Sequence, residues 1–144
     1  PDFWPDALES GTPNVVGLSG LAAGLSWLLE QGVAEIRAQE IELVRHLLAG
    51  LEELKGVTVY GTKDAAKQTG VVSFTIKDTL PSEVGFRMDE EFGLLCRVGL
   101  HCAPLAHRTL GTFPQGTIRF GLGAFNTIEE IEEVVRAVYR LTKK

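Results

Sequence analysis

Apolar and polar positions recur along this chain with two different periods, and the periods divide it into elements. From Val33 to Leu54 the apolar residues Val33, Ile36, Ile41, Val44, Leu47, Leu48, Leu51 and Leu54 keep helical spacing while charges fill the other face. This pattern predicts an amphipathic helix, ended by Gly56. Two segments of period two follow, VTVY at 57–60 and VVSFTIK at 71–77, the second with Val72, Phe74 and Ile76 on one side. Both predict strands with one buried face. PSEVGFRMDEEF at 81–92 predicts a helix with Pro81 in its first turn and Val84, Met88 and Phe92 on one side. LLCRV at 94–98 and TIRFGL at 117–122 predict two more strands. In the last helix Thr127 and Glu130 have capping-box spacing, and Ile128, Ile131, Val135 and Val138 form the apolar stripe. Its acids lie near the start and its bases near the end, as the helix dipole prefers.

Residues 14–30, NVVGLSGLAAGLSWLLE, depart from that pattern by being apolar or small almost all round. Gly17, Gly20 and Gly24 are poor helix formers, yet small residues three and four apart let another backbone come close. Two readings stand: a helix that packs on two sides against something outside this segment, or a core helix of this domain. The element order predicts an α+β fold, a small, mainly antiparallel sheet with helices packed on one face.

Composition narrows the class. The 144 residues suit one domain, which can bury roughly two thirds of its unfolded surface. A net charge of −5 argues against a nucleic-acid binder, which carries a basic balance or stripe. The apolar stretch Leu18–Leu29 is broken by glycines and serines, so no membrane partner is expected. Two cysteines make no disulfide framework, and with no secretory leader pattern the expected compartment is the cytoplasm. The opening PDFWPDALESGTPN, with two prolines and two aromatics before the helix, fits the interior of a longer polypeptide or a processed end.

Candidate chemistry concentrates in RVGLHCAPLAH at 97–107. Strand alternation sends Leu94, Cys96 and Val98 one way and Leu95 and Arg97 the other, which puts Cys96 on the core face as a small hydrophobe. In TIRFGL the core face takes Ile118, Phe120 and Leu122, so Arg119 leaves the sheet on the same open side as Arg97. Cys102 is placed differently. It follows Gly99 and precedes a short helix begun by Pro104 and closed by Gly111. The positive end of a helix and a nearby cation favour a nucleophilic thiolate at such a place; an unreactive thiol is the plainer reading. Cys96, His101, Cys102 and His107 lack the paired ligand spacing of structural zinc, so no metal is expected. GLGAFN at 121–126 lacks the glycine spacing of a dinucleotide site. ESGTPN at 9–14 places Gly11 and Thr12 just before the first helix, where an anion or an ordinary cap is suited.

Together ESGTPN, RVGLHCAPLAH and TIRFGLGAFNT resemble the C-terminal part of class V aminotransferase-fold enzymes of the cysteine desulfurase group, and the resemblance covers essentially the whole chain. It implies the C-terminal small domain of a fold-type I enzyme dependent on pyridoxal 5′-phosphate (PLP). Residues 14–144 would form that domain, with 1–13 bridging flexibly to a larger one. The implied activity converts cysteine to alanine and leaves the sulfur as a persulfide on Cys102. Arg119 matches the arginine that grips the substrate carboxylate, Arg97 a second arginine near it, and Thr12, beside Gly11, the threonine that reaches the PLP phosphate of a partner subunit. The implied partners are a cysteine-like amino acid, a second copy in a homodimer and a sulfur-acceptor protein. Leu100 departs from the family, many members of which have a second histidine there. No motif matches the lysine that carries PLP, so the residues given are expected to be inactive alone and to hold no cofactor. The alternatives are a related class V aminotransferase or selenocysteine lyase, and a stand-alone thiol or persulfide carrier.

Overall fold

The computed structural model describes residues 2–9 and 11–143, and the chain divides into two compact units, residues 1–35 and 36–144. Ser10, inside the segment expected to bridge to a larger domain, lies outside the described residues, as do Pro1 and Lys144. In the first unit, a short 3-10 turn at Asp6–Leu8 leads to helix α1, Val15–Gln31. Asn14 caps it, its side-chain oxygen accepting from the Gly17 N–H at 2.9 Å. A Cβ at Gly17 would strike that cap. No residue of α1 is buried; Val16 and Leu29 are more than four-fifths exposed. The reading of 14–30 as a core helix therefore does not hold.

Helix α2, Val33–Glu52, runs from one unit into the other, and its buried residues Leu43, Val44, Leu47, Leu48 and Leu51 all lie in the second. Four strands follow: β1 Val57–Tyr60, β2 Val71–Ile76, β3 Arg97–Gly99 and β4 Thr117–Gly121. They form one sheet in the order β1-β2-β4-β3 with every neighbouring pair antiparallel. Helices α3 (Pro81–Phe92), α4 (Pro104–Leu110) and α5 (Ile128–Thr142) complete the unit. The α+β class read from the sequence is the one observed.

The two periods account for the core. Val59 from β1, Val72, Phe74 and Ile76 from β2, and Ile118 and Phe120 from β4 present one face of the sheet. Leu43–Leu51 of α2, Val84 and Met88 of α3, and Ile131, Val134, Val138 and Leu141 of α5 join them in one cluster. Phe74 and Phe120 stack at 6.1 Å. The Thr127–Glu130 capping box forms, each side chain accepting from the other's backbone N–H at 3.3 and 3.0 Å.

One strand differs from expectation. Leu94, Leu95 and Cys96 are not strand; β3 begins at Arg97 and runs to Gly99. Gly93 ends α3 with a left-handed φ of 64°, and the chain reaches ladder geometry only where β4 offers partners, Arg119 back to Thr117. Leu94 and Cys96 are half-buried with exposed Leu95 between them, so this stretch of coil carries the alternation of a strand. Val98 still faces the core side: a Cβ at Gly85 would meet its Cγ1 at 2.6 Å, so α3 lies close against β3.

Candidate functional site

The open face of the sheet carries the charge. Arg97 of β3 and Arg119 of β4 are direct register partners. Directly opposed residues of an antiparallel pair stand on one face with Cβ atoms about 5 Å apart, and like charges there repel. Arg97 is exposed and Arg119 half-buried, and among the described residues no carboxylate pairs with either guanidinium. Ser73 of β2 flanks Arg119 on its other side. The arrangement offers two forked donors to one anion.

Beyond Arg97 the backbone turns sharply. Gly99 has a φ of 101°, and a Cβ at Gly116 would collide with the Gly99 carbonyl, so only glycine lets the two backbones meet. His101 and Cys102 then follow with φ of 49° and 61°, and the Ala103 N–H donates to the Leu100 carbonyl at 2.8 Å. Two consecutive positive φ values inside such a four-residue turn are the mark of type I′, normally given to glycine, asparagine or aspartate. A residue held in the left-handed region costs about 1–3 kcal/mol and needs surrounding contacts to keep it there. Cys102 occupies the second central position with its thiol exposed. Pro104 begins α4 after Ala103, and Gly111 closes it, as the sequence implies.

The contacts that hold the turn come from His101. Its Nε2 shares a 3.3 Å hydrogen bond with Thr117 Oγ1 at the start of β4, and Thr117 is 1% exposed. Its ring lies 5.8 Å from that of His107 on α4. The other ring nitrogen, Nδ1, is buried without a partner. Burial, then the Arg119 guanidinium, holds His101 below the usual histidine range; His107 and Arg97 act the same way, and Thr117 opposes them. The ring is therefore neutral near pH 7. His107 is buried, with Nδ1 2.7 Å from Thr112 Oγ1, and the Thr112 hydroxyl donates to the His107 carbonyl at 3.4 Å.

The second thiol is of another kind. Cys96 is half-buried against the core, and burial, followed by the Asp89 carboxylate, pushes its thiol up. It stays protonated where an exposed thiol begins to ionise. Among the described residues no three His, Cys, Asp or Glu side chains gather as metal ligands, and no helix is long and apolar enough to cross a membrane.

Thr12 and Gly11 belong to the first unit. Both are exposed on a shallow surface shared with Glu9, Pro13 and Asn14, and the Thr12 hydroxyl has no partner among the described residues. A Cβ at Gly11 would meet nothing. The structure thus gathers Arg97, Arg119 and the Cys102 turn in one unit. It adds His101, to which sequence reasoning assigned no task; its only sequence signal is adjacency to the cysteine.

Known proteins resemble this chain in sequence and in fold. The family model described as aminotransferase class V matches residues 3–134. A probable cysteine desulfurase of Pyrococcus abyssi is 35% identical over 96% of this chain and 34% of its own length. The apo structure of a cysteine desulfurase from Thermococcus onnurineus superposes with a TM-score of 0.88 at 36% identity, covering 96% of this chain and 34% of that one. The S-sulfonic acid form of an Escherichia coli cysteine desulfurase gives 0.80 at 27% identity, over 94% and 32%. The chain spans about a third of the length of these relatives. By sequence and by fold, this chain belongs to the aminotransferase class V family.

Proposed function

We propose that this chain is the C-terminal part of a PLP-dependent cysteine desulfurase and supplies its sulfur-accepting thiol and its carboxylate clamp. The observation that carries the reading is the opposed pair Arg97 and Arg119. Two guanidiniums in direct register, with no carboxylate paired to either among the described residues, repel one another and suit an anion held between them. An amino-acid substrate brings such an anion in its α-carboxylate. Arg119, half-buried, grips it through its fork, and Arg97 adds the second donor. Cys102, five residues from Arg97 on an exposed turn, accepts the sulfur of the substrate: its thiolate attacks that sulfur, the S–S bond of a persulfide forms as the carbon–sulfur bond breaks, and the carbon keeps the electron pair, takes up a proton and leaves as alanine.

The donor set fits the cofactor that the family implies. The Thr12 hydroxyl, without a partner among the described residues, and the unobstructed backbone at Gly11 suit a phosphate oxygen, and in this reading they serve the PLP of a partner subunit in a homodimer. When bound, PLP supplies the electron sink that a carbon–sulfur bond needs before it can break. The lysine that carries it, and the residues that cover its ring, are assigned to sequence outside the residues given, in keeping with a chain one third as long as its relatives. A sulfur-acceptor protein would then meet the exposed Cys102 turn, and a cytoplasmic setting suits two free thiols.

The test is alanine formation from cysteine by the full-length protein supplied with PLP. The reading expects turnover that Cys102→Ala removes. Selenocysteine turnover that survives the same substitution would point to a lyase that needs no acceptor thiol, and no turnover of any amino acid would point to a thiol carrier.

A further inference from the structure

We propose that His101 is a positioning residue that holds the Cys102 turn in its left-handed form by pinning it to Thr117. This rests on the reading above for its effect on turnover, but not for its effect on the turn. The turn Leu100–Ala103 places two residues with side chains where glycine or asparagine is the usual choice. Nothing within the turn beyond the single Ala103-to-Leu100 hydrogen bond favours that shape. The compensation comes from outside it. The His101 ring reaches the hydroxyl of Thr117, a buried residue at the start of β4 and the register partner of Gly99. The ring also lies against His107 at the far side of the turn, on the helix that follows Cys102. One side chain therefore ties the turn to the strand that carries Arg119 and to the helix that leaves the thiol. A displaced thiol would still exist and still be exposed, but it would no longer stand at a set distance from a substrate held by the arginines.

The competing account is that backbone preference alone decides the turn, and three substitutions separate the two. His101→Asn suits a positive φ better than histidine but is too short to reach Thr117. His101→Gln retains an amide at the reach of Nε2 without the backbone advantage. His101→Ala has neither. In the full-length holoenzyme two readouts apply: hydrogen exchange of the Ala103 amide, and kcat and KM for cysteine. We expect Ala and Asn to speed Ala103 exchange about tenfold, the equivalent of one net hydrogen bond, with Gln within threefold of native. We expect kcat to fall about 100-fold in Ala and Asn with KM within twofold, since a misplaced thiol does not loosen the carboxylate clamp. Thr117→Val, which removes the hydroxyl and keeps the buried shape, should speed exchange as His101→Ala does, and covers the case in which His101→Ala fails to fold. Native protection in His101→Asn, or in both His101→Ala and Thr117→Val, overturns the proposal whatever happens to turnover. If Cys102→Ala retains native turnover, the desulfurase reading fails, while the exchange result still decides the role of His101.

Discussion

The two faces of the sheet are built from alternate residues of the same strands, yet they answer to different physics. On one, Val72, Phe74, Ile76, Ile118 and Phe120 close against α2, α3 and α5, and each is at most 6% exposed. On the other, Ser73 and Arg119 share β2 and β4 with them, and Arg97 stands opposite Arg119 with no carboxylate paired to either among the described residues. The first face gains from every apolar contact; the second holds an arrangement that the fold alone disfavours. That contrast is the argument for a ligand: a stable sheet tolerates repulsion where repulsion is useful. It also separates stability from chemistry, so substitutions on the two faces should dissociate cleanly.

The largest expected effect is on the closed face. Phe74→Ala removes a fully buried ring stacked on Phe120 and should cost about 3–5 kcal/mol, measured by denaturant unfolding. A loss below about 1 kcal/mol would show that the core is less tightly filled than its burial implies. Next comes the open face. Arg119→Leu should raise KM for cysteine about 10- to 100-fold, the worth of a hydrogen bond to a charged group. The same change should leave the unfolding midpoint unchanged or higher, because it relieves the opposition with Arg97. A destabilised Arg119→Leu with normal KM would break the comparison, since Arg119 would then be a structural residue.

A smaller effect checks that the helices over the closed face act through ordinary stability. Thr127→Ala deletes the cap of α5 and should cost about 1 kcal/mol, with KM for cysteine unmoved. The smallest is a pH effect at the border between the faces. The folded state keeps His101 neutral, while the unfolded chain binds a proton there more readily. Stability therefore rises with pH through the window below about pH 6.5 and is lost on acidification. Comparing the native protein with His101→Gln cancels the contributions the two proteins share, and only the native protein should show the added slope. Identical slopes would mean that burial and the two arginines do not act on this ring.

Much of this is legible in the sequence. The period-two runs named the buried apolar residues of β2 and β4, though not the buried Thr117, and the capping box of α5 was read to the residue, because local hydrogen bonding and alternation are written in neighbouring positions. The open side of Arg97 and Arg119 followed from alternation as well. Their direct opposition did not, since it depends on register between strands separated by α4 and a loop. The start of β3 was missed because Leu94 and Cys96 pack against the core without a ladder partner. The type I′ turn left no trace either: its central residues are His and Cys rather than the glycine or asparagine that announces such turns. A helix as apolar as α1 was seen to ask for cover, and the structure leaves all its residues unburied.

The central claim is that Cys102, not Cys96, takes sulfur from the substrate. It is tested most directly by treating the full-length holoenzyme with cysteine, trapping persulfides by alkylation and mapping them by mass spectrometry. The account predicts one added sulfur on the peptide carrying Cys102, removable by a reducing thiol, and none on Cys96. Sulfur on Cys96, or on neither cysteine while alanine accumulates, would contradict it.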